Sequence, residues 1–245
     1  MIHLRSFAFN VAFFVWTALV SVAGLPTLAL PRPVSVAVQR LWAGGLAWLL
    51  RVLAGIRVEV RGREHIPTGA ALIAAKHQSA WDTFAFHCLL DNPAMVMKRE
   101  LFWIPVFGWY PLRSGMIGID RARGMNAIRR LIRAAKACAA RGQPIVIFPE
   151  GTRRAVGATP DYQPGVAALY RELGLPAVPV AVNSGIYWPR RRFVKRPGTI
   201  VIEFLPAIPP GLDRARFMQE LQAAIEPATA RLVLAAGAVS ERDRS

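Results

Sequence analysis

Apolar residues dominate the chain up to Leu53, and from Ile56 the pattern breaks into short strand-like runs separated by helix-spaced stretches. Phe7 to Leu30 carries no charge, and only Asn10, Thr17, Ser21 and Thr27 interrupt it with polar side chains. Such a run is long enough to cross a bilayer core. Pro26, Pro31 and Pro33 break a helix near its end. Three forms fit. A cleaved signal peptide would use Arg5 and the small pair Ala23-Gly24, but the apolar part exceeds the usual length. A single span and a shallow or re-entrant anchor are the others. Val34 to Leu53 repeats Val36, Leu41, Leu46, Leu49, Leu50 and Leu53 at helical spacing against Arg40 and Arg51. That is an amphipathic helix in the membrane interface, or a core helix of the globular part. Residues 1–55 are thus expected to seat the chain on a membrane, with 56–245 as a separate α/β domain.

In Ile56 to Arg61, apolar and charged residues alternate as in a half-buried strand. Strand-like runs follow at Ala71–Ala75, Met95–Lys98, Met116–Ile119, Ile145–Phe148, Ala177–Val182 and Ile200–Phe204. Helical spacing marks Trp81–Leu90, Met125–Arg141 with Gly142 as its stop, and Gly165–Leu173 opened by Pro164. A last helix, Arg214–Ala235, is interrupted by Pro227, and the tail after Val239 is expected to be disordered. Strands alternating with helices predict an α/β fold: a mixed sheet flanked by helices, preceded by an N-terminal helical membrane-anchoring segment.

Composition sharpens the picture of the surface. Hydrophobic residues make up 53% and mean hydropathy is +0.31. Lys and Arg number 31 against 15 acidic residues, a net charge of +16. An apolar and basic chain suits an anionic membrane surface. Nucleic acid is the rival for the charge, but no motif for it is present and the apolar excess has no use there. Cys88 and Cys138 stand alone, without CxxC or Cys/His spacing, and read as small buried hydrophobes rather than disulfide or metal ligands.

The chemistry concentrates in two runs that each close a strand-like segment: His77-Gln78-Ser79-Ala80-Trp81-Asp82 and Phe148-Pro149-Glu150-Gly151-Thr152-Arg153. Ligand sites in open α/β sheets lie beyond the carboxyl ends of strands. A potential base with a carboxylate partner and an acidic-glycyl-basic loop are therefore expected at one crevice. His77 and Asp82 would meet if the histidine ends its strand and the aspartate lies in the first helical turn. Ser79 and Asp82 equally make a capping box, with His77 an ordinary loop histidine. Spacing alone leaves both readings open.

These runs, the block Lys98 to Gly108, Gly118-Ile119-Asp120-Arg121 and Val178-Pro179-Val180 resemble, in order, the motif blocks of the glycerolipid acyltransferase family, most closely its bacterial 1-acyl-glycerol-3-phosphate acyltransferases. The likeness covers roughly Ile56 to Leu205. Arg154 departs from it, since many members have Ser there. The resemblance implies that His77 deprotonates a lysolipid hydroxyl while Asp82 fixes its tautomer, with backbone N–H groups near Gly151 as oxyanion donors. It implies substrate contacts at Lys98, Arg121, Gly151, Thr152 and Arg153, with Glu150 orienting Arg121 or Arg153. Trp103, Pro105 and Phe107 line an acyl-chain groove or are ordinary core and membrane contacts. Arg190, Arg191, Arg192, Lys195 and Arg196 meet a lipid headgroup or an acidic acyl carrier, or form a solvated run.

The implied reaction moves an acyl group from acyl-CoA or acyl carrier protein to the 2-hydroxyl of a lysophosphatidate. Its product is phosphatidate for phospholipid synthesis at the cytoplasmic face of a bacterial inner membrane, with no metal, no cofactor and no nucleic acid involved. Another lysolipid, such as a lyso-ornithine lipid, is the near alternative. A membrane-bound hydrolase is remote, since no G-x-S-x-G is present. A non-catalytic membrane protein would have no use for both motifs.

Overall fold

The computed structural model describes residues 1–120 and 124–242, for 238–242 the backbone course alone. Seven strands, β1 (Ile56–Arg61), β2 (Leu72–Ala75), β3 (Ala94–Lys98), β4 (Ile117–Ile119), β5 (Ile145–Ile147), β6 (Ala177–Val182) and β7 (Gly198–Phe204), form one sheet in the order β1-β7-β6-β2-β5-β3-β4. All pairings are parallel except β6 with β7, so the sheet is mixed as expected. β2 and β6 are buried at every position, because helices cover both faces, which is why they read as unbroken apolar runs.

Among the described residues eight α-helices accompany the sheet: α1 (Ile2–Ala23), α2 (Arg32–Leu49), α3 (Trp81–Leu89), α4 (Trp109–Ser114), α5 (Gly124–Ala139), α6 (Pro164–Leu173), α7 (Ser184–Tyr187) and α8 (Arg214–Arg242). Alternate side chains of the central strands serve opposite cores. Ile73, Ala75 and Val180 face a cluster with Phe84 of α3, Leu46 of α2 and Phe9 of α1. Leu72, Ala74 and Ile145 face Leu131 of α5, Leu169 of α6 and Phe217 of α8. The first helices therefore share a core with the sheet. Both are long and apolar enough to cross a membrane, and they fit a membrane anchor.

α1 is attached along its length. The Lys195 N–H donates to Ser6 Oγ, Phe9 meets Trp188 edge-on, and Tyr110 Oη donates to the Ser21 carbonyl. Its other face leaves Leu4, Phe7, Val11, Val15 and Leu19 exposed at helical spacing. Three expectations are corrected. α8 runs unbroken through Pro227, and the tail past Val239 stays helical to Arg242. Cys88 is exposed, on the outer face of α3, while Cys138 is buried.

Candidate active site

Because β2 lies between β6 and β5, the loops leaving these three strands meet over the middle of the sheet. His77 stands two residues beyond β2, and Asp82 is in the first turn of α3. His77 Nδ1 lies 3.0 Å from Asp82 Oδ2. A carboxylate only accepts, so the ring proton sits on Nδ1 and Nε2 keeps its lone pair for the cleft. The imidazole stacks on Phe148, with centroids 4.0 Å apart.

Asp82 also does what the capping reading asked of it. Its Oδ2 accepts the N–H groups of Gln78 (2.7 Å) and Ser79 (2.8 Å), and Ser79 Oγ accepts from Trp81 N–H. The two readings are thus compatible, since one carboxylate has lone pairs enough for both. Ser184 Oγ donates to Asp82 Oδ1 at 2.6 Å, from the start of α7 just after β6. Gly185 N–H donates to Gln78 Oε1, and a Cβ at Gly185 would come 2.9 Å from Gln78 Cβ. Only glycine lets α7 lie this close to the histidine loop.

Glu150 lies beneath this loop, not along the cleft. Its side chain is fully buried, with Oε1 2.9 Å from Lys76 Nζ and Oε2 accepting His77 N–H at 3.1 Å. Arg153, one of the two arginines expected to pair with it, does not, and the other, Arg121, lies outside the described residues. Burial pushes the Glu150 carboxyl up, while the Lys76 ammonium and the His77 amide oppose that shift. Lys76 also holds Glu226 of α8 at 2.8 Å, and Tyr162 Oη donates to the same carboxylate. A buried lysine is tolerable here because two carboxylates share its charge. Lys76, Ser184 and Glu226 were missed in the sequence. Lys76, next to His77, offered the one local signal.

A cleft of about 730 Å³ is lined by His77, Lys98, Gly151, Thr152 and Arg153, together with Arg190 and Arg191. Gly151 takes φ +66, a left-handed turn that suits glycine. Its N–H donates to the Phe148 carbonyl. Burial lowers the Arg153 guanidinium from its ordinary value, with Arg190 adding to the effect. Arg121 lies outside the described residues.

A second, apolar cavity of about 420 Å³ adjoins the first, sharing Ala80, Thr83, Met97, Leu101 and Phe148 with it. It runs between α3 and the anchor helices past Phe84, Trp42, Phe13 and Phe107. Phe107 is thus a lining residue as expected. Trp103 is 71% exposed and points away, and Pro105 is not among the lining residues.

A paired histidine and aspartate, cationic groups beside them and an apolar cavity behind suit an enzyme that moves an acyl chain. Residues 57–183 match the family model described as Acyltransferase, and the chain belongs to that family. Among curated relatives, it is 41% identical to the 1-acyl-sn-glycerol-3-phosphate acyltransferase of Pseudomonas aeruginosa, over 74% of this chain and 70% of that one. The human 1-acyl-sn-glycerol-3-phosphate acyltransferase alpha is 32% identical over 65% of this chain and 58% of its own. The crystal structure of the 1-acyl-sn-glycerophosphate acyltransferase PlsC from Thermotoga maritima shares the fold. Its TM-score is 0.78 at 20% identity, covering 94% of this chain and 95% of that chain.

Proposed function

We propose that the chain transfers a fatty acyl group from an acyl thioester, acyl-CoA or acyl carrier protein, to the 2-hydroxyl of 1-acyl-glycerol-3-phosphate. The product is phosphatidate, for membrane phospholipid synthesis. The observation that carries this is the His77–Asp82 pair where a cationic cleft meets an apolar cavity. The Nε2 lone pair takes the hydroxyl proton as oxygen attacks the thioester carbonyl, and the Asp82 carboxylate stabilises the imidazolium. The tetrahedral intermediate then expels thiolate, which leaves with the proton from Nε2. Every step is proton transfer and charge stabilisation, which asks for neither a metal nor a redox cofactor.

Arg153 suits the acceptor phosphate, since a guanidinium fork matches an anion's oxygens. Lys98, which lines the same cleft, would add charge, and Arg121, outside the described residues, is a further candidate for the same phosphate. The apolar cavity suits an acyl chain, with Phe107 and Phe84 against its methylenes. Residues 1–55 seat the enzyme and 56–245 carry the chemistry. A helix bonded along its length to a water-facing domain lies in one leaflet more readily than it crosses the bilayer, which favours a monotopic seat at the cytoplasmic face of the inner membrane. The test is purified protein with labelled acyl-CoA and a panel of lysolipid acceptors, including a lyso-ornithine lipid, read by product mass. Phosphatidate as the main product is expected. Acylation of another lysolipid in preference would overturn the headgroup assignment.

A further inference from the structure

We propose that Arg190 and Arg191, in the loop after α7, join Arg153 in a clamp for the phosphomonoester of the membrane-borne acceptor, and that they set the enzyme's preference for that headgroup. This rests on the reading just given and names residues outside the motif blocks that suggested it.

Four observations support the clamp. Arg190 and Arg191 line the same cleft as His77 and Arg153. Arg190 Nη1 donates to the Arg153 carbonyl at 2.9 Å, which pins this loop to the acidic-glycyl-basic loop. Among the described residues none of the three arginines forms a salt bridge. The carboxylate whose field reaches Arg153 is Asp82, already engaged by His77, Ser184 and two backbone amides. Three like charges lining one cleft repel one another: burial lowers the Arg153 guanidinium most, and Arg190 and then Arg191 lower it further against the opposing pull of Asp82. A dianion relieves that repulsion. Finally, Arg191 holds φ +56, a left-handed backbone costly for a residue with a side chain. Glycine or asparagine would serve the turn better, so the position is spent on the guanidinium.

The loop's anchorage selects the source of the phosphate. Trp188 packs on Phe9, and Lys195 bonds Ser6 and Asn10, so residues 188–195 ride on α1. The opposite face of α1 exposes Leu4, Phe7 and Val11. The clamp therefore sits where a lysolipid headgroup would emerge, while a thioester donor arrives from water carrying its own phosphates.

The experiment uses the full chain with vesicle-borne 1-acyl-glycerol-3-phosphate, monoacylglycerol as an acceptor lacking phosphate, and acyl-CoA. Arg190→Gln, Arg191→Gly and Arg191→Lys are compared with the parent. Losing one charge-assisted contact should raise the acceptor KM about ten- to a hundredfold. The acyl-CoA KM should hold, and discrimination against monoacylglycerol should shrink by the same factor. Arg191→Gly relieves the backbone while removing the charge, so its melting temperature should equal or exceed the parent's. Arg191→Lys should recover affinity only in part. An unchanged acceptor KM in folded variants overturns the clamp, as does a rise confined to the acyl-CoA KM. Failure of the parent to acylate 1-acyl-glycerol-3-phosphate overturns instead the function on which the clamp depends.

Discussion

Four donors converge on the Asp82 carboxylate: the His77 imidazole, the amides of Gln78 and Ser79, and the Ser184 hydroxyl. The side chain is 1% exposed, so each bond counts in a low dielectric. His77→Ala removes the base and should lower kcat by about 10²–10⁴-fold with little change in melting temperature, read by steady-state kinetics beside calorimetry. Asp82→Asn should cost most of the activity and also several degrees of melting temperature, since it disturbs a helix start as well as the tautomer. Ser184→Ala leaves Oδ1 short of a charge-assisted bond worth about 1.5–3 kcal/mol. Its kcat should fall roughly tenfold while both substrate KM values hold, because Ser184 positions the aspartate and touches neither substrate. A wild-type kcat in Ser184→Ala would remove it from the machinery.

Helices α1 and α8 show how an element's two faces divide its work. α1 turns Ser6, Phe9 and Ser21 inward and its large apolar residues outward. Removing α1 would strip the core of Phe9, so the anchor is better tested on its outer face. Leu4→Ser, Phe7→Ser and Val11→Ser together should weaken liposome binding by roughly 3 kcal/mol, about a hundredfold in partitioning, with the fold intact. Undiminished pelleting of the triple variant would place the anchor elsewhere. α8 survives Pro227 because the sheet grips both halves. Phe217, Leu221 and Ile225 pack in one cluster and Ala228 and Leu232 in another, beside Ala181 and Val201. Tertiary packing outweighs one missing hydrogen bond.

Stability of the whole molecule should respond to acid through His87. This residue lines the apolar cavity, and burial pushes its imidazole down to about 4 from an ordinary value near 6.5. The unfolded chain then binds the proton more readily, so the stability that neutral His87 supports is complete above about pH 6.5. It is lost as pH falls toward 4, by roughly 2 kcal/mol at pH 5. Melting temperature measured from pH 7 to 5 should fall more steeply in the parent than in His87→Leu, which cannot titrate. Parallel curves would show that His87 charges without cost.

Local pattern alone determined a good deal of this protein. All seven strands, the longer helices of the α/β domain and the apolar N-terminal pair follow from runs and periods a few residues long, because burial on both sheet faces demands unbroken apolar strands and amphipathic helices, while the short α4 and α7 carry no such period. The order of the motifs carried the family and, through it, the dyad, whereas the five-residue step from His77 to Asp82 fitted a helix cap equally well. The rest depended on contacts between distant segments. Ser184 reaches Asp82 across 102 positions and Lys76 reaches Glu226 across 150. Glu150 takes Lys76 rather than an arginine because β5 and β2 are neighbours and the charge beneath His77 needed a counter-ion. Arg190 and Arg191 enter the cleft because β6 lies beside β2 and their loop rests on α1. No local period encodes which strand lies beside which. Strand order is decided by how the two cores close, and that closure brought these side chains to the site.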